Sequence, residues 1–203
     1  MVWTGALKNI NINIEEKSIT ALIGPSGCGK STFLKSLNRM NDLVPGVKIT
    51  GDLRYRGEDI FDPKLNVNEL RRNIGMVFQH FNLFNHLNVM DNMTLAPIQV
   101  KHMGKEEAEK KALALLRRVG LEDRAGAYPI QLSGGMKQRV GIARAYSIEP
   151  EVMLMDEPFG AIDAKNRVLL QDLLLQILDA TEKKKTIVFV THDVDEAILI
   201  ARY

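Results

Sequence analysis

Short apolar runs alternate with helical patterns along much of this chain. The runs ITALI (19–23), VMLM (152–155) and TIVFV (186–190) are typical of short strands that are buried on both faces of a sheet. Between the runs, stretches such as 105–120 and 166–180 have helical periodicity and an apolar stripe that can cover a sheet. Strands that alternate with helices predict an α/β fold with a mainly parallel sheet.

Two segments depart from this rhythm. Residues 47–61 alternate between apolar and polar positions and can turn at Gly51 and Gly57, so they predict small antiparallel strands. The span 81–132 has helical patterns and no convincing strand. We therefore expect a helical lobe inserted into the α/β core.

The composition is that of an ordinary soluble globular chain, with 203 residues, 45% hydrophobic and 26% charged. The net charge of +2 gives no electrostatic argument for nucleic acid, and none is expected as a partner. The single cysteine, Cys28, excludes an internal disulfide and fits a reducing compartment. No apolar stretch approaches the roughly 18 residues of a membrane span, and the start, MVWTGALKNI, lacks a signal-peptide pattern. We expect a cytosolic protein that needs another chain to cross a membrane.

A glycine-rich loop joins the first apolar run to a helical pattern. The segment GPSGCGKS, residues 24–31, fits the phosphate loop G-x-x-x-x-G-K-[ST] between a strand and a helix. Its backbone N–H groups can surround phosphate oxygens, Lys30 can reach the β- and γ-phosphates, and the Ser31 hydroxyl can ligate Mg²⁺. A dinucleotide fingerprint fails because Thr32 stands where its third glycine is due, and the alternative is a turn that merely contains glycines. The predicted nucleotide-binding residues of this segment are Gly24, Pro25, Ser26, Gly27, Cys28, Gly29, Lys30, Ser31 and Thr32.

Two carboxylates follow the second apolar run. In EVMLMDEP, residues 151–158, Asp156 and Glu157 stand where a buried strand emerges beside the phosphates. We predict that Asp156 holds Mg²⁺ through water, and that Glu157 orients and deprotonates the attacking water. For this segment alone, an acidic turn without chemistry is the alternative.

A second glycine segment precedes another helical run. In LSGGMKQR, residues 132–139, Ser133, Gly134 and Gly135 predict a second anion-binding helix terminus. One nucleotide does not need two such cradles in one protomer. Two protomers packed head to tail about a two-fold axis would each donate one cradle to the partner's nucleotide, which predicts a homodimer on ATP binding.

Together these motifs resemble those of the ATP-binding cassette (ABC) transport ATPases over essentially the whole chain, and LSGGMKQR is the most specific of them. The resemblance implies a P-loop NTPase fold in one nucleotide-binding domain, 1–203. The α/β core would comprise 1–80, which includes a small antiparallel β subdomain, and 133–203, and a helical subdomain would occupy 81–132. The implied function is an ATP-binding and Mg²⁺-dependent ATP-hydrolysing subunit that energises a bacterial importer, with ATP and Mg²⁺ as cofactors.

The resemblance also implies roles for residues that the local pattern does not mark. Gln79 in GMVFQHFNLF matches the glutamine that touches Mg²⁺ and the attacking water. Asp163 in FGAIDA matches an aspartate at the dimer seam, and His192 in FVTHD matches a switch histidine that contacts the γ-phosphate. Without the resemblance, Gln79 would be interpreted as a surface glutamine and His192 as a structural histidine. The implied catalytic residues are Lys30, Gln79, Glu157 and His192, and the implied Mg²⁺ ligands are Ser31, Gln79 and Asp156.

The implied mechanism places ATP between Lys30 of one protomer and Ser133 of the other. The γ-phosphate then holds the dimer closed, and hydrolysis releases the halves. The helical subdomain would pass this closure to transmembrane permease subunits, which implies a cytoplasmic location at the inner face of the cell membrane. Solute choice resides mainly in those partners.

The chain departs from the family pattern at both ends. The aromatic residue that usually stacks on adenine aligns near Met1, and Trp3 is the candidate substitute, with a core or exposed tryptophan as the alternative. The chain ends at DEAILIARY, soon after His192, where family members continue with further strands and a last helix. We therefore expect a C-terminal truncation.

The resemblance also changes by subfamily. Residues 6–79 look most like phosphate importers, and 81–135 look like polar amino-acid importers. Residues 154–172 and 188–201 look like nitrate, sulfonate or taurine importers. The pattern suggests a recombined or engineered mosaic, and the alternative is a divergent natural importer subunit.

Two rival functions remain. The first is an ABC ATPase of DNA repair or translation, disfavoured by the lack of long coiled-coil inserts, of a second cassette in tandem and of a basic surface. The second is a truncated or chimeric P-loop domain that folds and binds ATP without transport activity. ATP turnover and binding separate these possibilities.

Overall fold

The computed structural model describes residues 7–160, 162–179 and 184–201. The strands are β1 (Ile19–Ile23), β2 (Arg54–Tyr55), β3 (Glu58–Asp59), β4 (Ile74–Val77), β5 (Val152–Asp156) and β6 (Thr186–Thr191). The helices are α1 (Lys30–Leu37), α2 (Val67–Asn73), α3 (Val89–Lys101), α4 (Lys105–Arg118), α5 (Gly134–Ser147), α6 (Ala164–Asp179) and α7 (Val194–Ala201). Short 3₁₀ helices lie at Met40–Leu43, Glu122–Arg124 and Pro129–Gln131. None of the helices in these ranges is long and apolar enough to cross a membrane.

The main sheet has the strand order β1–β6–β5–β4, and every pairing in it is parallel. The strands β2 and β3 form a separate antiparallel pair. Because all four strands of the main sheet run the same way, the segments that follow them emerge at one edge. The register pairs Asp156 with Val190 and Ile23 with Thr191. This edge therefore collects the phosphate loop, the two carboxylates at the end of β5 and the histidine after β6.

The helix α5 lies between the helical region and the sheet. It contacts α3 and α4 on the one hand and β4 and α6 on the other. Val140, Ile142 and Ala143 on α5 are fully buried. Because α5 begins at the glycines of LSGGMKQR, the core burial of this helix determines where that segment sits.

The helices α3 and α4 bear out the helical pattern of the insert. On α4, Ala108, Ala112 and Leu116 lie on the buried face, as the periodicity predicts. On α3, the buried Asn92 amide donates to the carbonyl oxygens of Phe84 and Leu87, both at 3.1 Å. That side chain therefore fixes the loop that enters α3.

One local expectation was wrong. The strand β1, predicted to be buried on both faces, is only half-buried, and it is one of the two edge strands of the main sheet within the described residues. The antiparallel pair turns at Gly57, which has a φ of +82°, and the chain bends at Gly51, which lies before β2. The alternating pattern of 47–61 therefore corresponds to only two paired strands of two residues each.

Candidate nucleotide-binding and catalytic site

The phosphate loop, residues 24–31, leads directly into α1. Gly27 and Gly29 have φ values of +80° and +99°, a left-handed conformation that glycine adopts without steric cost. Gly29 is the N-cap of α1, and no side chain caps the helix there. The first N–H groups of α1 are therefore open to an anion, and the helix dipole adds positive potential.

Lys30 folds back onto the loop. Its Nζ donates to the carbonyl oxygens of Gly24 at 2.6 Å and Pro25 at 2.9 Å, and lies 3.9 Å from Cys28 Sγ. Cys28 itself is exposed. The ammonium group is therefore held over the mouth of the loop, where phosphate oxygens can compete with the backbone carbonyls for it.

Ser31 and Asp156 meet across the sheet edge. The Ser31 hydroxyl donates to Asp156 Oδ1 at 2.5 Å, and Lys35 Nζ lies 3.3 Å from Asp156 Oδ2. The Asp156 side chain is only 4% exposed, so these two partners stabilise its charge. A hydroxyl oxygen beside a carboxylate is a hard donor pair of the kind Mg²⁺ prefers, so this site fits the ion.

Glu157 lies where β5 ends, in an unusual backbone conformation. Its φ is +44°, which is uncommon for a residue other than glycine, and its N–H donates to Val190 O on β6 at 3.1 Å. Gln79 Nε2 donates to Glu157 Oε2 at 3.2 Å, and His192 Nδ1 lies 3.7 Å from the same oxygen. Strained backbone of this kind often occurs at functional sites, where it aims a side chain. The structure thus brings together Gln79 and Glu157, predicted to act on the attacking water, and His192, predicted to contact the γ-phosphate.

The signature segment, residues 133–135, begins α5 and is exposed over its first two positions. Ser133 is the N-cap of α5, and its hydroxyl accepts a hydrogen bond from Met136 N at 3.3 Å. Among the described residues, no hydrogen bond or ion pair joins this segment to the phosphate loop.

The remaining predicted residues have less decisive surroundings. Asp163 is exposed, and its carboxylate accepts hydrogen bonds from Asn166 N at 3.1 Å and Asn166 Nδ2 at 2.7 Å, which caps the start of α6. Trp3 lies outside the described residues. The roles assigned to Asp163 at a dimer seam and to Trp3 at adenine stay predictions.

The sequence pattern did not predict three polar residues that lie at this site. Lys35 lies four residues after Ser31, so helical periodicity could have placed it on the same face. Glu196 is 6% exposed and accepts from the hydroxyl of Thr191, the neighbour of His192, at 2.6 Å. Gln138 is 1% exposed and donates to Pro158 O at 2.7 Å. No local signal marks Gln138 or Glu196, because a polar residue in a helix ordinarily faces solvent.

Known proteins are similar to this chain in sequence. The family model described as ABC transporter matches residues 7–160. The chain is 41% identical over 195 residues to the glutamine transport ATP-binding protein GlnQ of Geobacillus stearothermophilus, covering 96% of this chain and 77% of that protein. It is 42% identical over 198 residues to GlnQ of Escherichia coli K12, covering 98% and 79% respectively.

Solved structures share the fold. The dimeric structure of MJ0796, a bacterial ABC transporter cassette, superposes with a TM-score of 0.80 at 38% identity, over 96% of this chain and 83% of that one. A dimeric post-hydrolysis structure of the same cassette, bound to ADP and Pi, also gives 0.80, at 37% identity and the same coverage. These likenesses confirm the predicted α/β class, the mainly parallel sheet and the small antiparallel pair. This chain therefore belongs to the ABC transporter family, as one of its ATP-hydrolysing cassettes.

Proposed function

We propose that this chain is the Mg²⁺-dependent ATPase subunit of an importer for polar amino acids. The observation that carries the catalytic part is the position of the Glu157 carboxylate, 3.2 Å from Gln79 Nε2 and 3.7 Å from His192 Nδ1. The phosphate loop lies at the same edge of the sheet. A base, an orienting amide and a histidine beside a phosphate site are the groups that hydrolysis of a terminal phosphate requires.

Each residue has one task in this proposal. The loop N–H groups and Lys30 bind the phosphates, Glu157 takes a proton from the attacking water, and Gln79 orients that water. His192 donates to the γ-phosphate. When bound, Mg²⁺ neutralises charge on the β- and γ-phosphates, and Ser31, Asp156 and Gln79 are the residues that would hold it.

The active unit in this proposal is a homodimer formed on ATP binding. Ser133, Gly134 and Gly135 of one protomer bind the nucleotide that sits on the phosphate loop of the other. The exposed N-terminus of α5 supports this role, since its N–H groups are accessible to a phosphate from outside the chain. The dimeric cassette structures support the same arrangement by similarity.

The importer assignment concerns the helical subdomain. We propose that 81–132 is a subdomain inserted between core segments 1–80 and 133–203, and that it docks on permease subunits at the inner face of the cell membrane. Relatives named as glutamine transport ATP-binding proteins match 96% to 98% of this chain. That coverage favours an amino-acid solute over phosphate.

The first test is ATP turnover by the purified chain over a range of protein concentrations. We expect turnover to rise more steeply than protein concentration, because two protomers must meet to complete a site. Glu157→Gln should lower kcat by about 10²–10⁴-fold while ATP binding persists, because it removes the base and keeps the cradle. Strictly linear turnover would contradict the dimer. Nucleotide binding without turnover would favour the rival function, a truncated or chimeric P-loop domain that binds ATP without transport activity.

The solute and the mosaic hypothesis need separate tests. Pairing the chain with the membrane subunits of a polar amino-acid importer should restore ATP-dependent uptake of glutamine, whereas restored phosphate uptake with a phosphate permease would overturn this assignment. The proposal that the chain is a mosaic predicts different best-matching subfamilies for 6–79, 81–135 and 154–201. One subfamily that matches best in all three blocks would contradict it.

A further inference from the structure

One buried amide on α5 touches the backbone at two separate points of the catalytic site. Gln138 is 1% exposed, and its Nε2 donates to Pro158 O at 2.7 Å and more weakly to Phe78 O at 3.5 Å. An amide nitrogen carries two hydrogens, so it can serve both carbonyls at once, whereas the amide oxygen can serve neither. The two carbonyl groups thus determine which way the amide faces.

The two carbonyl groups flank the residues proposed to act on water. Pro158 directly follows Glu157, and Phe78 directly precedes Gln79. One side chain therefore spans the backbone of the base and the backbone of the amide that orients the water. Glu157 has the greater need of such support, because its φ of +44° is a conformation that persists only where the surroundings impose it.

The same helix holds the segment after Gln79. Arg144 Nη1 donates to Asn82 O at 2.8 Å, and its Nη2 lies 3.5 Å from Phe81 O. The Arg144 side chain is half-buried, and this burial lowers the pKa of its guanidinium. A Cβ at Gly141 would meet Phe81 O at 3.5 Å, so the helix and this segment are in close contact. The helix α5 thus contacts the backbone after β4 at Phe78, Phe81 and Asn82.

The orientation of Gln138 has an energetic cost. Its Oε1 is buried and has no hydrogen-bond partner among the described residues. An unsatisfied buried oxygen destabilises the fold, and an apolar side chain of similar size would avoid that cost. Packing alone therefore does not account for a glutamine here, whereas holding two carbonyl groups does.

We propose that Gln138 is a positioning residue that sets the separation of Glu157 and Gln79 and ties both to α5. Because α5 starts at Ser133, a nucleotide of the partner protomer that binds there acts on the helix that carries Gln138. Occupancy of one ATP site is in this way communicated to the catalytic pair of the chain's own site. The inference rests on the proposed ATPase dimer and assigns a residue through which its two sites communicate.

The kinetic test compares Gln138→Leu with a matched variant of another buried amide. Asn92→Leu removes an amide that also binds backbone carbonyl oxygens, but those of the loop 84–88 instead of those next to Glu157 and Gln79. Gln138→Leu should lower kcat about 10–100-fold, since a misplacement of about 1 Å has effects of this size. Its KM for ATP should stay within about twofold of wild type, because the phosphate loop is untouched, and its Hill coefficient should fall towards one. Asn92→Leu should lower the Tm and leave kcat and the Hill coefficient unchanged.

A second measurement tests the positioning role of Gln138 and does not depend on ATP turnover. Hydrogen exchange of the nucleotide-free protein should become faster in Gln138→Leu at 74–82 and at 156–160 together. In Asn92→Leu, faster exchange should be confined to 84–92. Wild-type exchange at both segments in Gln138→Leu, or an equal loss of kcat in the two variants, overturns the inference. An inactive wild-type protein would refute the ATPase proposal, and the exchange data would still decide whether Gln138 holds the two segments.

Discussion

The phosphate loop and the signature segment are both glycine-rich and both lead into a helix, yet their hydrogen bonds to the rest of the chain differ. In the phosphate loop, Lys30 binds two carbonyl groups of the loop, and Ser31 binds the buried Asp156. In the signature segment, the exposed Ser133 accepts a hydrogen bond from Met136 N within its own turn. The first cradle is thus connected to a carboxylate of its own chain, and the second presents its N–H groups to the outside.

Glycine also occurs in the two segments for different physical reasons. Gly27 and Gly29 have positive φ values, so the backbone itself requires glycine there. Gly134 and Gly135 lie in the first turn of α5, and a Cβ on Gly134 would meet only the Phe81 ring at an ordinary 3.6 Å. The chain's own packing therefore does not demand glycine at 134. A surface kept free of side chains is what a second molecule with a phosphate would need.

The strongest test of this comparison disables the phosphate loop in one protomer and the signature segment in the other. Lys30→Ala should disable the phosphate loop, and Ser133→Asp should repel a phosphate while keeping an N-cap oxygen on α5. Each variant alone should lose at least about 10²-fold in turnover, because each pure dimer has two damaged sites. An equal mixture should recover up to about a quarter of wild-type turnover, the value for two independent sites, because half of its dimers are mixed and each mixed dimer has one intact site.

The mixing experiment has a clear opposite outcome. If both cradles served the same protomer, each chain would carry one lesion and mixing would restore nothing. Turnover of the mixture equal to the mean of the two pure variants would therefore contradict the shared-site dimer. Unfolding of Ser133→Asp by urea provides the control, since its midpoint should match that of the wild type.

A smaller effect separates the glycines by stability. Gly27→Ala should lower the free energy of unfolding by about 1–2 kcal/mol, because alanine at a φ of +80° is strained although no atom lies within 4 Å of the added Cβ. Gly134→Ala should change it by less than about 0.5 kcal/mol, because its backbone is helical and the added Cβ would make only an ordinary contact with the Phe81 ring. Urea denaturation of both variants measures the difference. Equal destabilisation would show that the two segments do not differ in this way.

The smallest expected effect concerns the support of the signature helix. Lys111 on α4 contacts Glu149, just beyond the end of α5, at 2.6 Å, and this hydrogen bond lowers the pKa of Glu149. A lowered carboxyl pKa stabilises the fold above the unfolded value, about 4.3, and the contribution disappears as the pH falls through the folded pKa. Because the Glu149 side chain is 67% exposed, the gain is at most about 1 kcal/mol.

Thermal unfolding between pH 7 and pH 3 checks this contribution. Lys111→Met should unfold at a slightly lower temperature than wild type at pH 7, and the difference should vanish at the acid end. A difference that persists at pH 3 would point to lost packing of the lysine stem instead of lost charge. In either case the phosphate loop should keep its affinity for ATP.

Much of the fold followed from local pattern. The three apolar runs appear as β1, β5 and β6, within one residue of the predicted limits. The helix of 105–118 buries the face that its periodicity marks. The edge position of β1 did not follow, because burial of a strand depends on neighbours that the strand's own residues do not specify.

The site divides in the same way. The sequence by itself determined the phosphate loop, the two carboxylates after a strand and the serine cap of α5, because each depends on residues within a few positions of one another. Only the tertiary structure decided that Ser31 meets Asp156 across 125 residues, that Gln79 meets Glu157 across 78, and that Gln138 reaches Phe78 across 60. The physical reason is the parallel sheet, which brings the ends of distant strands to one edge and lets α5 pack against it.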